Sequence, residues 1–394
     1  MNLIKHFAQL SLLTLALLLQ ISFSAQAQTM ATSADHAVIL DINSGDTLFE
    51  KDADTAFPPA SMSKLMTVYL AFDAIKHGTV NLSDEVTVSD EAWRLWRGKG
   101  STMFLNARDK VTVEQLLKGI IVLSGNDACF VLAEHMAGSS DTFIEWMNAK
   151  AKELGMNGSH FMNPNGWPEE NHYMTARDLA TLTKHLTTDF PDMYPMFDER
   201  EFLYKNFTAN RYNRNPMLGR FAGADGLKTG GLPDQKKYGI VGSAIRDGRR
   251  VVVVLGGLPS KNARNRESSR LMQYAFRNFN YYPLFRAGEK VDTAEVWLGD
   301  VASVPLVVAE DVKLTLSRRQ RSQMKVTVEF MNPIPAPLTK GQAVGELIIE
   351  IPDKTEMRIP LNAGANASAV GGLGKITAAI SYLLFGSSGE IKGN

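Results

Sequence analysis

Between residues 35 and 285, strand signals stand at the two ends and helical signals lie between them. Ala37-Val-Ile-Leu-Asp-Ile42, the turn Asn43-Ser-Gly-Asp46 and Thr47-Leu-Phe-Glu50 read as a hairpin. Residues 238–244 and 249–255 read as two further strands around Asp247-Gly248. Apolar residues recur at helical spacing over 66–75, 114–121, 128–136 and 176–186, and 270–279 reads as a closing helix. This order is consistent with one antiparallel sheet in which the N- and C-terminal strands pair, with the intervening helices packed beside it. That is an α+β architecture.

From 286 to about 365 the period changes. Short β-branched runs dominate, as in Val304-Pro-Leu-Val-Val308, Val312-Lys-Leu-Thr-Leu316 and Lys325-Val-Thr-Val-Glu-Phe330, broken by clusters such as Asn332-Pro-Ile-Pro-Ala-Pro337. This predicts a small C-terminal all-β sandwich domain.

The termini carry different signals. Lys5 and His6 precede the apolar run from Leu10 to Leu19, and Ala25-Gln-Ala27 has the small-residue spacing of a secretory cleavage site. Residues 1–27 are therefore expected to be an export signal, which leaves 28–285 as a first domain and 286–365 as a second. Ala363 to Gly372 reads as a linker, so 366–394 is expected to be a linker and tail. In that tail Leu373, Ile376, Ile380, Leu383 and Leu384 recur at helical spacing, as in a helix lying on a membrane surface. A helix docked on its own protein has the same pattern.

Composition narrows the chemistry. Lys plus Arg and Asp plus Glu each number 42, for a net charge of zero. Nucleic acid is thereby disfavoured as the main partner, since phosphate binding needs a basic surplus or patch. Residues 1–27 hold a single charged side chain, Lys5, so their removal leaves the balance near zero. A single cysteine, Cys129, excludes an intramolecular disulfide and any multi-cysteine metal centre. The seven histidines show no H-x-x-x-H spacing. No metal or other cofactor is expected.

Three short patterns carry the chemistry. Ser61-Met-Ser-Lys64 sits where an extended Pro58-Pro59-Ala60 segment gives way to a helix, so Ser61 and Lys64 share a face. A lysine desolvated beside a serine is able to take its proton. The helix start also offers N–H donors to a developing oxyanion. Read alone, the pattern is a capped helix with a surface lysine, and Ser322-Gln-Met-Lys325 repeats it in a strand-like context. Ser124-Gly-Asn126 lies at a break between helical segments, where a hydroxyl is placed to relay a proton and an amide to hold a carbonyl. Alone it is a turn, and Ser260-Lys-Asn262 matches it equally well. Lys228-Thr-Gly230, followed by Gly231, opens a strand whose lysine and hydroxyl suit a carboxylate. Its glycines leave room for a peptide to add along the edge.

Taken together and in this order, S-x-x-K, S-x-N and K-T-G form the signature set of penicillin-binding proteins and class A β-lactamases, whose middle triplet is S-D-N. The chain closely resembles the low-molecular-mass penicillin-binding proteins that are serine-type D-alanyl-D-alanine carboxypeptidases. Gly100-Ser-Thr-Met-Phe-Leu105, residues 111–121, Leu123–Ala128, His172–Asp178 and Asp225–Gly230 carry the resemblance further, so it takes in nearly the whole chain.

The resemblance implies the transpeptidase fold shared with serine β-lactamases. By it, Ser61 is the nucleophile and Lys64 its base. Ser124 passes a proton to the departing D-alanine, and Asn126 orients Lys64 and the substrate amide. Lys228 and Thr229 hold the terminal carboxylate beside Gly230, and the backbone N–H groups of Ser61 and Gly231 bind the oxyanion. Some relatives carry a histidine where this chain has Gly231. The implied partners are peptidoglycan stem peptides ending in D-Ala-D-Ala and β-lactams acting as covalent inhibitors. The implied location is the periplasm, with peripheral attachment to the inner membrane through the tail.

Two other readings use the same residues. A class A-like β-lactamase would need a glutamate for deacylating water, and Glu169 and Glu170 lie in the loop 163–171. A non-catalytic penicillin-binding module would not need Ser61, Lys64 and Lys228 intact. Cys129, in an apolar helical run, reads as a packed thiol.

Overall fold

The computed structural model of the chain describes residues 30–208, 210–372 and 376. The expected export signal and most of the expected amphipathic tail lie outside the described residues.

The pairing of first and last strands is present. Strands β1 (His36–Asp41), β2 (Thr47–Lys51), β3 (Ala224–Leu232), β4 (Lys237–Arg246) and β5 (Arg249–Leu258) form a five-stranded antiparallel sheet in the order β2-β1-β5-β4-β3. In β5, alternate residues face opposite sides of the sheet. Val252 and Val254 join the large core that also holds Leu65, Phe72, Leu132 and Leu182. Val251, Val253 and Leu255 are equally buried outside that core, so β5 reads as a continuous apolar run.

Three helices set the framework of the site. Helix α1 (Lys64–Lys76) follows a single 3-10 turn, Ala60–Ser63, and is buried at every position from Lys64 to Phe72. A helix apolar on all sides has to run through the core, and this one does. Helix α2 (Asn126–Ala137) packs beside it, and α3 (Lys261–Asn278) packs on β4 and β5. Helix α3 begins well before the expected residue 270. Its first turns are polar and partly exposed, so they carry little apolar periodicity, and the start is marked instead by Ser260, whose hydroxyl accepts from the Ala263 N–H at 3.0 Å.

The second part is built on a six-stranded sheet containing Lys290–Trp297, Ser303–Val308, Lys325–Phe330, Ile334–Pro335, Ala343–Glu350 and Met357–Ala363. Phe279–Phe285 pairs with Val312–Ser317 in a separate ribbon, and Leu314 and Leu316 share a core with Leu347, Ile349 and Leu361. By its hydrogen bonds, Phe279–Phe285 thus belongs with the β-rich part, although it precedes residue 286.

Two expectations are corrected here. Ser322 lies in a six-residue helix, Arg318–Gln323, rather than in a strand; Ser317 and Gln320 close a capping box at its start. The Ala363–Gly372 stretch is also no free linker as far as Val370. Ala367 bridges Leu338, Ala369 bridges Gly299, and the Val370 N–H donates to the Leu298 carbonyl at 2.9 Å. Small side chains let this backbone lie close against its neighbours. A Cβ at Gly364, for example, would stand 2.9 Å from Pro305.

The two parts meet at the β1–β2 turn. Asp46 accepts from the Thr315 N–H and from Lys354, and the Ser44 hydroxyl donates to Thr315 Oγ1 at 2.9 Å.

Candidate active site

Ser61 sits in the 3-10 turn ahead of α1, just after Ala60, whose φ of 49° turns the chain sharply. The turn and helix together bring Lys64 back beneath the serine. Lys64 Nζ donates to Ser61 Oγ at 3.1 Å and to Asn126 Oδ1 at 2.8 Å, and it also donates to the Asn165 carbonyl. Its side chain is wholly buried. Burial disfavours the ammonium and, with a smaller contribution from the Arg214 charge, lowers the Lys64 pKa to about 8.

Ser124 comes to the same place by an unusual backbone path. Helix Val113–Lys118 widens into a π-helical stretch, Gly119–Leu123, and Ser124 then takes a left-handed conformation with φ of 62°. Such π-stretches occur often at functional sites. The Ser124 hydroxyl is buried and has no hydrogen-bond partner. Asn126 opens α2 and donates through Nδ2 to the Lys99 carbonyl at 3.2 Å. Asp127, in the first turn of α2, accepts from the Met103 and Leu105 N–H groups at 2.8 and 3.2 Å, which ties the 101–105 segment to the site.

The third element is the edge strand β3. Lys228 and Thr229 are buried, whereas Gly231 is exposed. Gly230 lets the strand press against the Ser61 turn, because a Cβ there would stand 2.7 Å from the Pro59 carbonyl oxygen. Burial, reinforced by the Lys64 and Arg214 charges, holds the Lys228 pKa well below the ordinary lysine range. A carboxylate placed against it would offset that cost.

Ser61, Ser124, Asn126, Thr229, Gly230 and Gly231 line one cleft of about 910 Å³. Lys64 and Lys228 stand behind its wall. Arg214, Lys261 and Arg264 also line it, against a single acid, Asp234. All eight residues picked from the sequence thus gather around one space, which has a strongly positive lining.

Several contributors carry no sequence signal. The Asn165 contact uses a backbone carbonyl, held in a loop where Asn163 Oδ1 accepts from the Gly166 and Trp167 N–H groups at 2.8 and 3.0 Å. Gly166, at φ +75°, permits that turn, and it is the one visible hint in Asn163-Pro-Asn-Gly166. Arg214 reaches Ser101 Oγ at 2.6 Å from far along the chain. Glu169 and Glu170 are exposed, and neither lines the cleft. Cys129 is fully buried in α2, where the lack of solvation raises its thiol pKa to about 11.

A cleft-lining serine on a buried lysine, a second serine with an asparagine and a lysine–threonine strand edge define a serine acyl-transfer enzyme of the penicillin-binding fold. Comparison with known proteins gives the family. Residues 22–258 match D-alanyl-D-alanine carboxypeptidase, and residues 279–368 match the penicillin-binding protein 5 C-terminal domain. The D-alanyl-D-alanine carboxypeptidase DacA of Haemophilus influenzae is 33% identical over 368 residues, 90% of this chain and 92% of that protein. The solved penicillin-binding protein 5 of the same organism superposes with a TM-score of 0.77 at 32% identity, covering 86% of this chain and 98% of that one. Penicillin-binding protein D2 of Listeria monocytogenes, solved in its ampicillin-bound form, superposes with a TM-score of 0.56 at 26% identity over 63% of this chain and 99% of its own. The chain belongs to the family of serine-type D-alanyl-D-alanine carboxypeptidases.

Proposed function

We propose that the chain removes the terminal D-alanine from peptidoglycan stem peptides through an acyl-enzyme on Ser61. The observation that carries this reading is the wholly buried Lys64, 3.1 Å from the Ser61 hydroxyl. With a pKa of about 8, roughly one Lys64 in ten is neutral at pH 7, far more than for an exposed lysine. Neutral Lys64 takes the Ser61 proton as Oγ bonds to the carbonyl carbon of the penultimate D-alanine. The Ser61 and Gly231 N–H groups receive the charge that forms on the carbonyl oxygen. The C–N bond then breaks, and the leaving amine gains its proton through the Ser124 hydroxyl, which has no competing partner. Lys228 and Thr229 hold the terminal carboxylate until D-alanine departs. Water cleaves the ester, returning the proton to Ser61 and freeing the shortened peptide. A β-lactam acylates Ser61 by the same attack.

The protein is proposed to work in the periplasm, peripherally attached to the inner membrane. This rests on the sequence patterns of residues 1–27 and 373–394. Sequencing the N-terminus of the exported protein and fractionating cells with and without the tail would test it.

The decisive experiment is mass spectrometry after exposure to penicillin, alongside assay of D-alanine release from a peptide ending in D-Ala-D-Ala. A long-lived adduct on the peptide containing Ser61, together with D-alanine release, is expected. Adduct turnover in well under a second would indicate a β-lactamase, and D-alanine release unaffected by Ser61→Ala would defeat the reading.

A further inference from the structure

The six-stranded sheet of the second part has two unlike edges. One is Ile334–Pro335, two residues long and crowded by Pro333, Pro335 and Pro337, which blunt an edge against further pairing. The other is Lys325–Phe330, which pairs with Ala343–Glu350 without a register shift and contains no proline. Among the described residues no other backbone bonds to its outer side. Alternate residues of this strand face opposite sides of the sheet. Val326 lies across from the buried Ile349, on the face that packs into the core, yet it is 42% exposed because the sheet ends there. On the other face the Lys325 and Glu329 side chains are 77% and 62% exposed, and their ion pairs, to Glu350 and Arg358, are both long at 3.8 Å. Arg358 is held closer by Glu346 and Glu356, at 2.8 and 2.7 Å.

We propose that this edge pairs antiparallel with the same edge of a second copy of the chain, joining the two six-stranded sheets into one. The sequence is complementary to itself: with Thr327 on the two-fold axis, Met324-Lys-Val-Thr-Val-Glu-Phe330 matches its own reverse. On the outer face Lys325 stands opposite Glu329 of the second copy, and Glu329 opposite its Lys325. On the core-side face Val326 meets Val328 and Met324 meets Phe330, so the uncovered Val326 is buried. Other pairings lose this match. Parallel strands in register would set Lys325 against Lys325 and Glu329 against Glu329. A one-residue slip would place charged side chains across from apolar ones, and a two-residue slip would part each lysine from its glutamate.

Sedimentation of the full chain over a range of concentrations tests this, together with charge reversal at the edge. A single strand pair is a small interface, so a reversible dimer with a Kd on the order of 10–100 µM is expected. Lys325→Glu and Glu329→Lys should each weaken it about tenfold or more, since each turns two attractive pairs into two repulsive ones. An equimolar mixture of the two variants, and the double swap in one chain, should restore it. Thr327→Cys gives a second view. Opposed residues of an antiparallel pair lie about 4.5–5.5 Å apart, within the span of a disulfide. Under oxidised glutathione Thr327→Cys should therefore link to its own copy, whereas Lys325→Cys should link to Glu329→Cys and not to itself. The native Cys129 is buried and does not compete. Unchanged D-alanine release and Tm show that each variant is folded, and they leave the carboxypeptidase reading to its own test. A full chain that stays monomeric at several times the expected Kd overturns the proposal, including the case in which its own tail covers the edge. A dimer indifferent to charge reversal, or one in which Thr327→Cys fails to cross-link, forms through another surface and overturns it too.

Discussion

The chain contains the S-x-x-K spacing twice, and the two copies sit in opposite surroundings. Ser61 and Lys64 straddle the junction of a 3-10 turn and a helix buried on all sides, so the ammonium has no water and is held by Ser61, Asn126 and the Asn165 carbonyl. Ser322 lies in the last turn of a six-residue surface helix and donates to the Arg319 carbonyl at 2.9 Å, while the Lys325 side chain is 77% exposed and 3.8 Å from Glu350. In the first copy the protein has removed solvent and supplied acceptors; in the second the hydroxyl is turned inward on the backbone and the lysine is left in water. Spacing brings a serine and a lysine close, but burial makes one of them a base. The same holds for the two S-x-N triplets. Ser124 has a buried, unpartnered hydroxyl, whereas Ser260 spends its own capping α3.

Mutating both copies in parallel breaks or sharpens this comparison. Ser61→Ala is expected to reduce D-alanine release on the order of 10³-fold or more, since the nucleophile is lost. Ser322→Ala should leave it within twofold. An equal loss in both would mean that the buried copy has no special role.

Lys64→Arg comes next. Arginine keeps the charge but does not deprotonate, so acylation should fall about 10²- to 10⁴-fold, while Lys325→Arg should be silent. The pH profile gives a second view of the same residue. Burial disfavours the charged form and places the Lys64 pKa near 8. The neutral base therefore accumulates as pH rises, and kcat/KM should climb toward pH 8 and level off above it. A rise continuing toward pH 10, the ordinary lysine value, would show that Lys64 is solvated when it acts.

Much of this was legible beforehand because it is local. An i, i+3 pair at a helix start, a Ser-Gly-Asn break and a Lys-Thr-Gly strand are short patterns, and strands at both ends of a helical region are consistent with the single sheet that forms. What sequence did not show is what the chain supplies from a distance through its backbone. The Asn165 carbonyl on Lys64, the π-stretch that delivers Ser124 and the Arg214 contact with Ser101 depend on where loops land. Composition misled at Ala363–Gly372, where small residues mean close packing as readily as flexibility. The polar first turns of α3 hid a long helix for the complementary reason: its packing is concentrated at a few positions such as Ala263, Leu271, Met272 and Ala275.

Gly166→Ala tests the loop contribution directly. A Cβ at that position would meet the Ala60 carbonyl oxygen at 2.0 Å and Ser63 Oγ at 2.5 Å, in a backbone of φ +75° that alanine rarely adopts. The loop must then move, taking the Asn165 carbonyl from Lys64. Acylation is expected to fall about tenfold to a hundredfold. If Asn165 acts through Lys64, the pH at which kcat/KM levels off should shift as well. A variant that loses thermal stability with an unmoved pH profile would reduce the loop to a purely structural support.

The smallest effect belongs to Ser260→Ala, and it completes the contrast between the two S-x-N triplets. The Ser260 hydroxyl accepts from the Ala263 N–H at 3.0 Å, the geometry of an N-cap, and removing such a cap costs about 1 kcal/mol. In a catalytic region of this size that lowers Tm by about 2–4 °C. Helix α3 also carries Arg264 into the cleft lining, so a frayed first turn would reach the active site only through that side chain. The expected pattern is thus a measurable fall in Tm with kcat/KM changed less than about threefold. Ser124→Ala should show the reverse, because a buried hydroxyl without a partner stabilises nothing by hydrogen bonding. Its loss should cost about 10²-fold in rate with little change in Tm. If Ser124→Ala instead lowered Tm while sparing the rate, the unpartnered hydroxyl would be a packing feature, and the proton for the leaving amine would have to come from Lys64 itself.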